Sequence, residues 1–271
     1  MPELPEVETT RRGIEPHVAN QTIADVTVRQ ASLRWPIPSS LAKNLPGHAV
    51  KSVTRRGKYL LLGTGEETLI IHLGMSGSLR IVDINTQAGK HDHVDIVFAN
   101  DKVLRFNDPR RFGCLLCQRG DPEAHKLLRH LGPEPLQDGF DGAYLHELSR
   151  NKKAPVKTFI MDSRVVVGVG NIYANEALHL SGIHPLRKAG KISLKRYVAL
   201  VENIKAVLSR AIEVGGTTLR DFTNSDGEPG YFKQSLYVYG RAGQPCKGCG
   251  ESLKEVRVSQ RSTVYCPACQ R

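Results

Sequence analysis

Four cysteines near the C-terminus fall as Cys246-x2-Cys249-x16-Cys266-x2-Cys269. Each C-x-x-C knuckle sets two sulfurs on one side of a tight turn. Two knuckles together offer four thiolates to a tetrahedral ion, which predicts one structural Zn2+ with no coordination position left for substrate or water. Two disulfides would need an oxidising compartment, for which nothing in the chain argues. The same spelling recurs at Cys114-Leu-Leu-Cys117, but positions three apart in a strand face opposite ways, so this pair reads as core. At the other end, removal of Met1 would leave Pro2 as a secondary amine of near-neutral pKa, able to attack an electrophilic carbon without a partner base. Glu3 beside it would serve as an acid, although acids also favour helix N-termini without any chemistry.

Two further clusters carry possible chemistry. Gly168-Val-Gly-Asn171, ahead of Ile-Tyr-Ala-Asn-Glu-Ala-Leu, predicts a glycine turn feeding a helix, with Asn171 near the cap and free amides aimed at an anion such as phosphate. A steric use of glycine is the plainer alternative, and Lys152, Lys153 and Lys157 nearby favour the phosphate. His91-Asp92-His93-Val94-Asp95, read as a strand, places His91, His93 and Asp95 on one face. That raises a metal-dependent nuclease beside the simpler reading of an exposed polar strand.

The elements that must position these residues change character twice along the chain. From about residue 20 to 118 the text is β, with Ile81-Val82, His93 to Phe98 and Val103 to Phe106 as strands and an Asn100-Asp101 turn, which predicts a sandwich or barrel. A short helix over Pro5 to Arg12 packs on that sheet. From Asp121 the period becomes helical, with one helix from the Asp121-Pro122-Glu123 cap to Leu131 and a second over Ala143 to Arg150. The strongest amphipathic pattern runs from Ser193 to Val214, closed by Gly215-Gly216. Residues 215 to 240 read as a long loop leading into the cysteine module, and a loop of that length is functional or disordered.

The 271-residue chain carries 38 Lys+Arg against 27 Asp+Glu, a formal charge of +11. Such an excess favours a polyanionic partner, nucleic acid first and an acidic membrane surface second. The segment from Arg241 onward carries six cations against two acids, suited to a phosphate backbone. An acidic opening argues against a secretory signal, and the longest apolar stretch, Val165 to Gly170, falls far short of the about 20 residues needed to cross a bilayer. The expected address is the cytoplasm, or a nucleoid.

Taken in order, Met1-Pro-Glu-Leu-Pro-Glu-Val-Glu-Thr9, Arg56-Gly-Lys-Tyr59, His72-Leu-Gly-Met-Ser-Gly-Ser78, Asp108-Pro-Arg-Arg-Phe-Gly113, Gly168-Val-Gly-Asn-Ile-Tyr173 and the four cysteines span the whole chain. The sequence resembles the bacterial formamidopyrimidine-DNA glycosylases, and Pro-Glu-Leu-Pro-Glu is similar to the oxidised-purine branch rather than the pyrimidine-lesion sister branch. The resemblance implies an α+β multi-domain fold. Residues 1–130 would be a catalytic β-sandwich with its terminal helix, 131–240 a helix-two-turn-helix domain with a lesion-covering loop over 215–231, and 241–271 a zinc ribbon. Double-stranded DNA containing oxidised bases, chiefly 8-oxoguanine and formamidopyrimidines, would lie between the lobes of a monomer.

By the same resemblance Pro2 is the nucleophile that attacks C1′, expels the base and forms an iminium permitting β- and δ-elimination, while Glu3 handles protons at the sugar. Lys58 matches the residue implicated in β-elimination, and Arg261 a phosphate contact assigned to δ-elimination. Met75, Arg110 and Phe112 match the wedge that fills the space of an extruded nucleotide, a role suited to a thioether, a guanidinium and a ring. His91, Lys152 and Asn171, with Arg110, match DNA-binding positions. His72 matches a position near the phosphates but fits a structural turn equally. Three alternatives stay open: a pyrimidine-lesion glycosylase, a metal-dependent nuclease and a non-catalytic zinc-ribbon DNA-binding protein.

Overall fold

The computed structural model describes residues 2–215 and 236–271. They form two compact units, one made of the residues up to Arg129 and the other of His130–Glu213 with the C-terminal segment.

The first unit opens with helix α1 (Leu4–Val18). It runs past the expected stop at Arg12, because Ile14 and Val18 continue the spacing set by Leu4 and Val7 and all four are buried. That packing outweighs the about 1 kcal/mol that Gly13 costs inside a helix. Strand β1 (Ile23–Val28), the short helix α2 (Leu41–Asn44) and strands β2 (Ser52–Arg56), β3 (Tyr59–Gly63), β4 (Glu67–His72), β5 (Ser78–Asp83), β6 (Asp92–Phe98), β7 (Lys102–Asn107) and β8 (Cys114–Arg119) follow. They pair into two antiparallel sheets, β1-β6-β7-β5 and β2-β3-β4-β8. The expected sandwich is present, and its core is written with period two. Leu60 and Leu62, Leu69 and Ile71, Val94, Ile96 and Phe98, and Leu104 and Phe106 all enter one buried cluster with Val7, Ile14 and Val18 of α1.

The expected helix from Asp121 to Leu131 is replaced by a single 3-10 turn, Pro122–Ala124, followed by further turns. The Asp121 cap is there, accepting from Glu123 N–H at 2.9 Å. Of the apolar residues beyond it, only Leu128 is buried, so no stripe exists to hold a helix. His125 ends the turn in extended geometry, and its own Nδ1 accepts from Leu127 N–H at 3.3 Å.

The second unit contains α3 (Gly142–Ser149), α4 (Val156–Ile160), α5 (Asn171–Leu180) and α6 (Leu194–Glu213). The last two agree with the predicted helices at 171 and 193 to within about a residue. Helix α6 buries Tyr197, Leu200, Val201, Ile204, Val207, Leu208, Ala211 and Ile212 along one face. The chain ends in a hairpin of β9 (Lys254–Val258) and β10 (Arg261–Tyr265). Its two-residue turn places Ser259 and Gln260 at φ 47° and 62°, the paired left-handed geometry that matches strand twist. Among the described residues no helix is long and apolar enough to cross a membrane.

Candidate active site and nucleic-acid interface

In the first unit, Pro2 and Glu3 are both buried where α1 begins. Glu3 is the N-cap, and its N–H donates to the Glu6 carboxylate at 2.8 Å, which fixes the chain direction at the terminus. Lys58 lies in the β2–β3 turn, where Gly57 takes φ 56°. Helix and turn are tied together through Glu8. Its carboxylate accepts from Arg11, Arg12 and Arg55, and Arg55 also donates to Gly57 O at 2.8 Å. Burial works against the Glu8 charge, but the hydrogen bonds from Arg11 and Arg12 and the charges of Arg11 and Arg55 outweigh it and hold the pKa below the usual carboxylate range.

Across the β3–β4 pair from Lys58's neighbour Tyr59 stands His72, with ring centroids 4.9 Å apart. His72 Nδ1 accepts from Gly74 N–H at 2.9 Å, so the neutral ring carries its proton on Nε2. Burial, then the charges of Lys58 and Arg34, lowers its pKa to about 4. His72 therefore presents a neutral donor. On the same sheet Cys114 and Cys117 are free thiols whose pKa values burial raises to about 11 and about 12, in keeping with their reading as core.

Met75 and Phe112 are 38% and 45% exposed on two neighbouring turns, and the Arg110 guanidinium lies 5.2 Å from the Phe112 ring centroid. Nearby, the polar strand read as a possible metal site is committed to other bonds. Asp95 pairs with Arg105 and Arg29, Asp92 with Arg80, and His93 Nε2 meets Asp108 O at 2.8 Å. Among the described residues the only group with metal-ligand geometry is the four cysteines; His91, His93 and Asp95 do not form one.

In the second unit the four sulfurs lie within 4.8 Å of one another, with Cys246–Cys269 at 4.0 Å and Cys249–Cys266 at 3.5 Å. A tetrahedron with Zn–S bonds of about 2.3 Å has edges of about 3.8 Å, so the donor set fits zinc. Backbone N–H groups of Gly248 and Cys269 support the knuckles by donating to Cys246 and Cys266 Sγ at 3.4 Å. Arg261 follows the hairpin turn and is exposed. Lys152 is exposed too.

Helix α5 starts at Asn171, after Gly168 at φ 80° and an N-cap at Gly170. Asn171 Nδ2 donates to Ser262 O at 3.1 Å, so the side chain braces the ribbon next to Arg261. Lys157, expected to face phosphate, is 1% exposed and donates to Ser262 O and Thr263 Oγ1 at 3.0 and 2.6 Å. The composition around it is basic, but Val156, Phe159 and Ile160 of α4 are buried with it.

Other side chains of α5 escaped sequence reasoning. Asn175 Oδ1 accepts from Val264 N–H at 3.1 Å, and His179 Nδ1 meets Gln270 Oε1 at 3.3 Å. Glu176, 2% exposed, accepts from three successive backbone N–H groups, those of Tyr237, Val238 and Tyr239, at 2.7, 2.9 and 2.8 Å. The available signal was a set of polar residues at 171, 175, 176 and 179, one face of an otherwise apolar helix. The expected lesion-covering loop lies, beyond Gly215, outside the described residues.

Comparison with known proteins agrees along the entire chain. Residues 1–115 match the formamidopyrimidine-DNA glycosylase N-terminal domain, 131–223 its H2TH domain, and 243–271 the zinc finger found in FPG and IleRS. The formamidopyrimidine-DNA glycosylases of Methylococcus capsulatus and Marinobacter nauticus are 64% and 61% identical over 271 residues, covering 100% of both chains in each case. A Lactococcus lactis FPG mutant in complex with Fapy-dG-containing DNA superposes with a TM-score of 0.93 at 33% identity, and MutM in complex with carbocyclic 8-oxo-G-containing DNA with 0.92 at 33%, each over 100% of both chains. The matched zinc finger and the sulfur geometry together establish one structural zinc. With sandwich, H2TH helices and zinc ribbon each matched in order and relatives identical at more than half of all positions, the chain belongs to the formamidopyrimidine-DNA glycosylase family.

Proposed function

We propose that the chain is a base-excision repair enzyme that removes oxidised purines, 8-oxoguanine and formamidopyrimidines, from duplex DNA and then cleaves the abasic strand as a lyase. The observation that carries the site assignment is the fixed start of α1. Pro2 and Glu3 are buried at its first turn, and Glu8 of the same helix is bonded to the strand that leads to Lys58. Once Met1 is removed, the Pro2 amine attacks C1′, the base leaves, and the resulting iminium acidifies the sugar for β- and then δ-elimination. Glu3 donates and shuttles protons at the sugar. Lys58 and Arg261 are cations that stabilise developing phosphate charge, Lys58 in β-elimination and Arg261 in δ-elimination.

His91, Arg110, Lys152 and Asn171 form the DNA-binding set, and Met75, Arg110 and Phe112 the wedge that fills the vacated stack. The labour divides over residues 1–130, 131–240 and 241–271, and the protein works as a monomer in the bacterial cytoplasm, on the nucleoid. Zinc folds the ribbon and takes no chemical step, because four thiolates leave it no open position.

Borohydride trapping on a duplex containing 8-oxoguanine, with mass-spectrometric mapping of the adduct, tests the reading. A cross-link on Pro2, lost in Pro2→Gly with DNA binding retained, is the expected result. Cleavage of the duplex by the zinc-loaded protein with no trapped adduct on Pro2 refutes the iminium mechanism.

A further inference from the structure

The exposed side chains assigned above to the wedge stand on two separate turns, Leu73–Gly77 and residues 108–113, and one buried carboxylate joins them. Asp108 is 0% exposed. Its Oδ1 accepts from Ser76 Oγ at 2.8 Å and its Oδ2 from Gly113 N–H at 2.7 Å. Ser76 follows Met75 and Gly113 follows Phe112, so the two oxygens grip the backbone neighbours of both apolar wedge residues. The third member is caught by the same link, because Ser76 Oγ accepts from Arg110 N–H at 3.2 Å. Asp108 O accepts from Arg111 N–H at 3.2 Å, and Asp108 N–H donates to His91 O at 3.0 Å.

The turns are pressed together tightly enough to need glycine. A Cβ on Gly74, at φ 67°, would come within 2.4 Å of Gly113 N and Phe112 C, and one on Gly113 within 2.8 Å of His72 O. A carboxylate supplies two separate acceptor oxygens, one for each turn, where an amide of the same shape supplies only one.

We propose that Asp108 is a positioning residue that assembles Met75, Arg110 and Phe112 into one rigid unit before DNA arrives. The proposal rests on the wedge reading of those three residues. Asp108 does not touch DNA. It fixes both turns through hydrogen bonds and so removes the ordering cost that loose wedge side chains would meet on insertion. Its effect falls on substrates whose target must be unstacked. An abasic site, with no base in the stack, needs far less of it.

The test compares single-turnover cleavage of an 8-oxoguanine:cytosine duplex with cleavage of the same duplex carrying an abasic site, for Asp108→Asn and Ser76→Ala. Asn keeps the shape but puts an N–H2 where an acceptor stood, and Ser76→Ala removes the link to Arg110 N–H while sparing the Gly113 bond. Both variants are expected to slow cleavage at the lesion by between about tenfold and about a hundredfold, with abasic-site cleavage within about twofold of wild type. A parallel fall on both substrates overturns the proposal, because it marks general structural damage, as does an unchanged ratio. Met75→Ala and Phe112→Ala separate the two levels. If they lower the lesion-to-abasic ratio while Asp108→Asn and Ser76→Ala do not, the positioning role alone fails; if none of the four changes it, the wedge reading fails.

Discussion

Replacing Glu176 by Gln isolates the anchor of the segment that enters the ribbon. In the native protein Oε1 accepts from Val238 and Tyr239 N–H and Oε2 from Tyr237 N–H, all at 2.7–2.9 Å. Gln keeps the oxygen that serves two donors but turns the third contact into an N–H2 facing an N–H. One bond to a charged group is lost, at about 1.5–3 kcal/mol, and the remaining two become neutral and weaker. The combined local cost is about 2–4 kcal/mol, which speeds amide exchange at 237–239 by roughly 30-fold to 700-fold where exchange follows the opening equilibrium. Hydrogen-exchange mass spectrometry on the zinc-loaded protein reads this directly, with peptides from β4 and β6 of the other unit as internal controls. Unchanged protection at 237–239 would refute the anchoring argument, and a rise of equal size in the control strands would show that the damage is global.

Two further outcomes follow from the sites. Cys249→Ser is expected to release the zinc and unfold the ribbon while the sandwich persists, because binding energy at a four-thiolate site is folding energy; one zinc retained per chain in elemental analysis would contradict the ligand set. His72, with a folded-state pKa of about 4 against an unfolded value of about 6.5, disfavours the protonated form in the fold. The unfolded chain binds that proton first, so stability is full above the unfolded pKa and falls as pH drops from about 6.5 towards 4. The ring keeps some exposure, so about 3 kcal/mol is the ceiling. Urea unfolding followed by Trp35 fluorescence should lose this slope in His72→Gln relative to wild type, and parallel profiles would exclude His72 as its source.

What could be read from the sequence divides by how local the cause is. The zinc ribbon and α6 were legible because ligand spacing and a 20-residue apolar stripe are one-dimensional signals. The sandwich was legible as a class, and β6 and β7 nearly as strands, since Val94, Ile96 and Phe98 recur at every second position. The false helix at Asp121 came from a genuine cap with no buried face behind it, and the expected end of α1 at Arg12 followed the Arg11-Arg12 pair as a basic last turn, without the packing of Ile14 and Val18 that carries the helix on. Lys157 belonged to a basic stretch that suggested phosphate, yet it is buried against Ser262 and Thr263, about a hundred residues away in sequence. Asp108 and Glu176 escaped notice for the same reason. Glu176 is met by the backbone amides of residues 237–239 and Asp108 by Ser76 Oγ and Gly113 N–H, partners that the fold brings in and no local pattern of the sequence marks.

The polar face of α5 also limits how the chain can change its length. Asn171, Asn175, Glu176 and His179 each hold a different stretch of the C-terminal segment, at Ser262, Val264, residues 237–239 and Gln270. Inserting or deleting one residue within this helix would rotate everything downstream by about 100° and turn part of the face away from its partners. The span from Asn171 to His179 is thus a ruler whose length is held by four contacts at once.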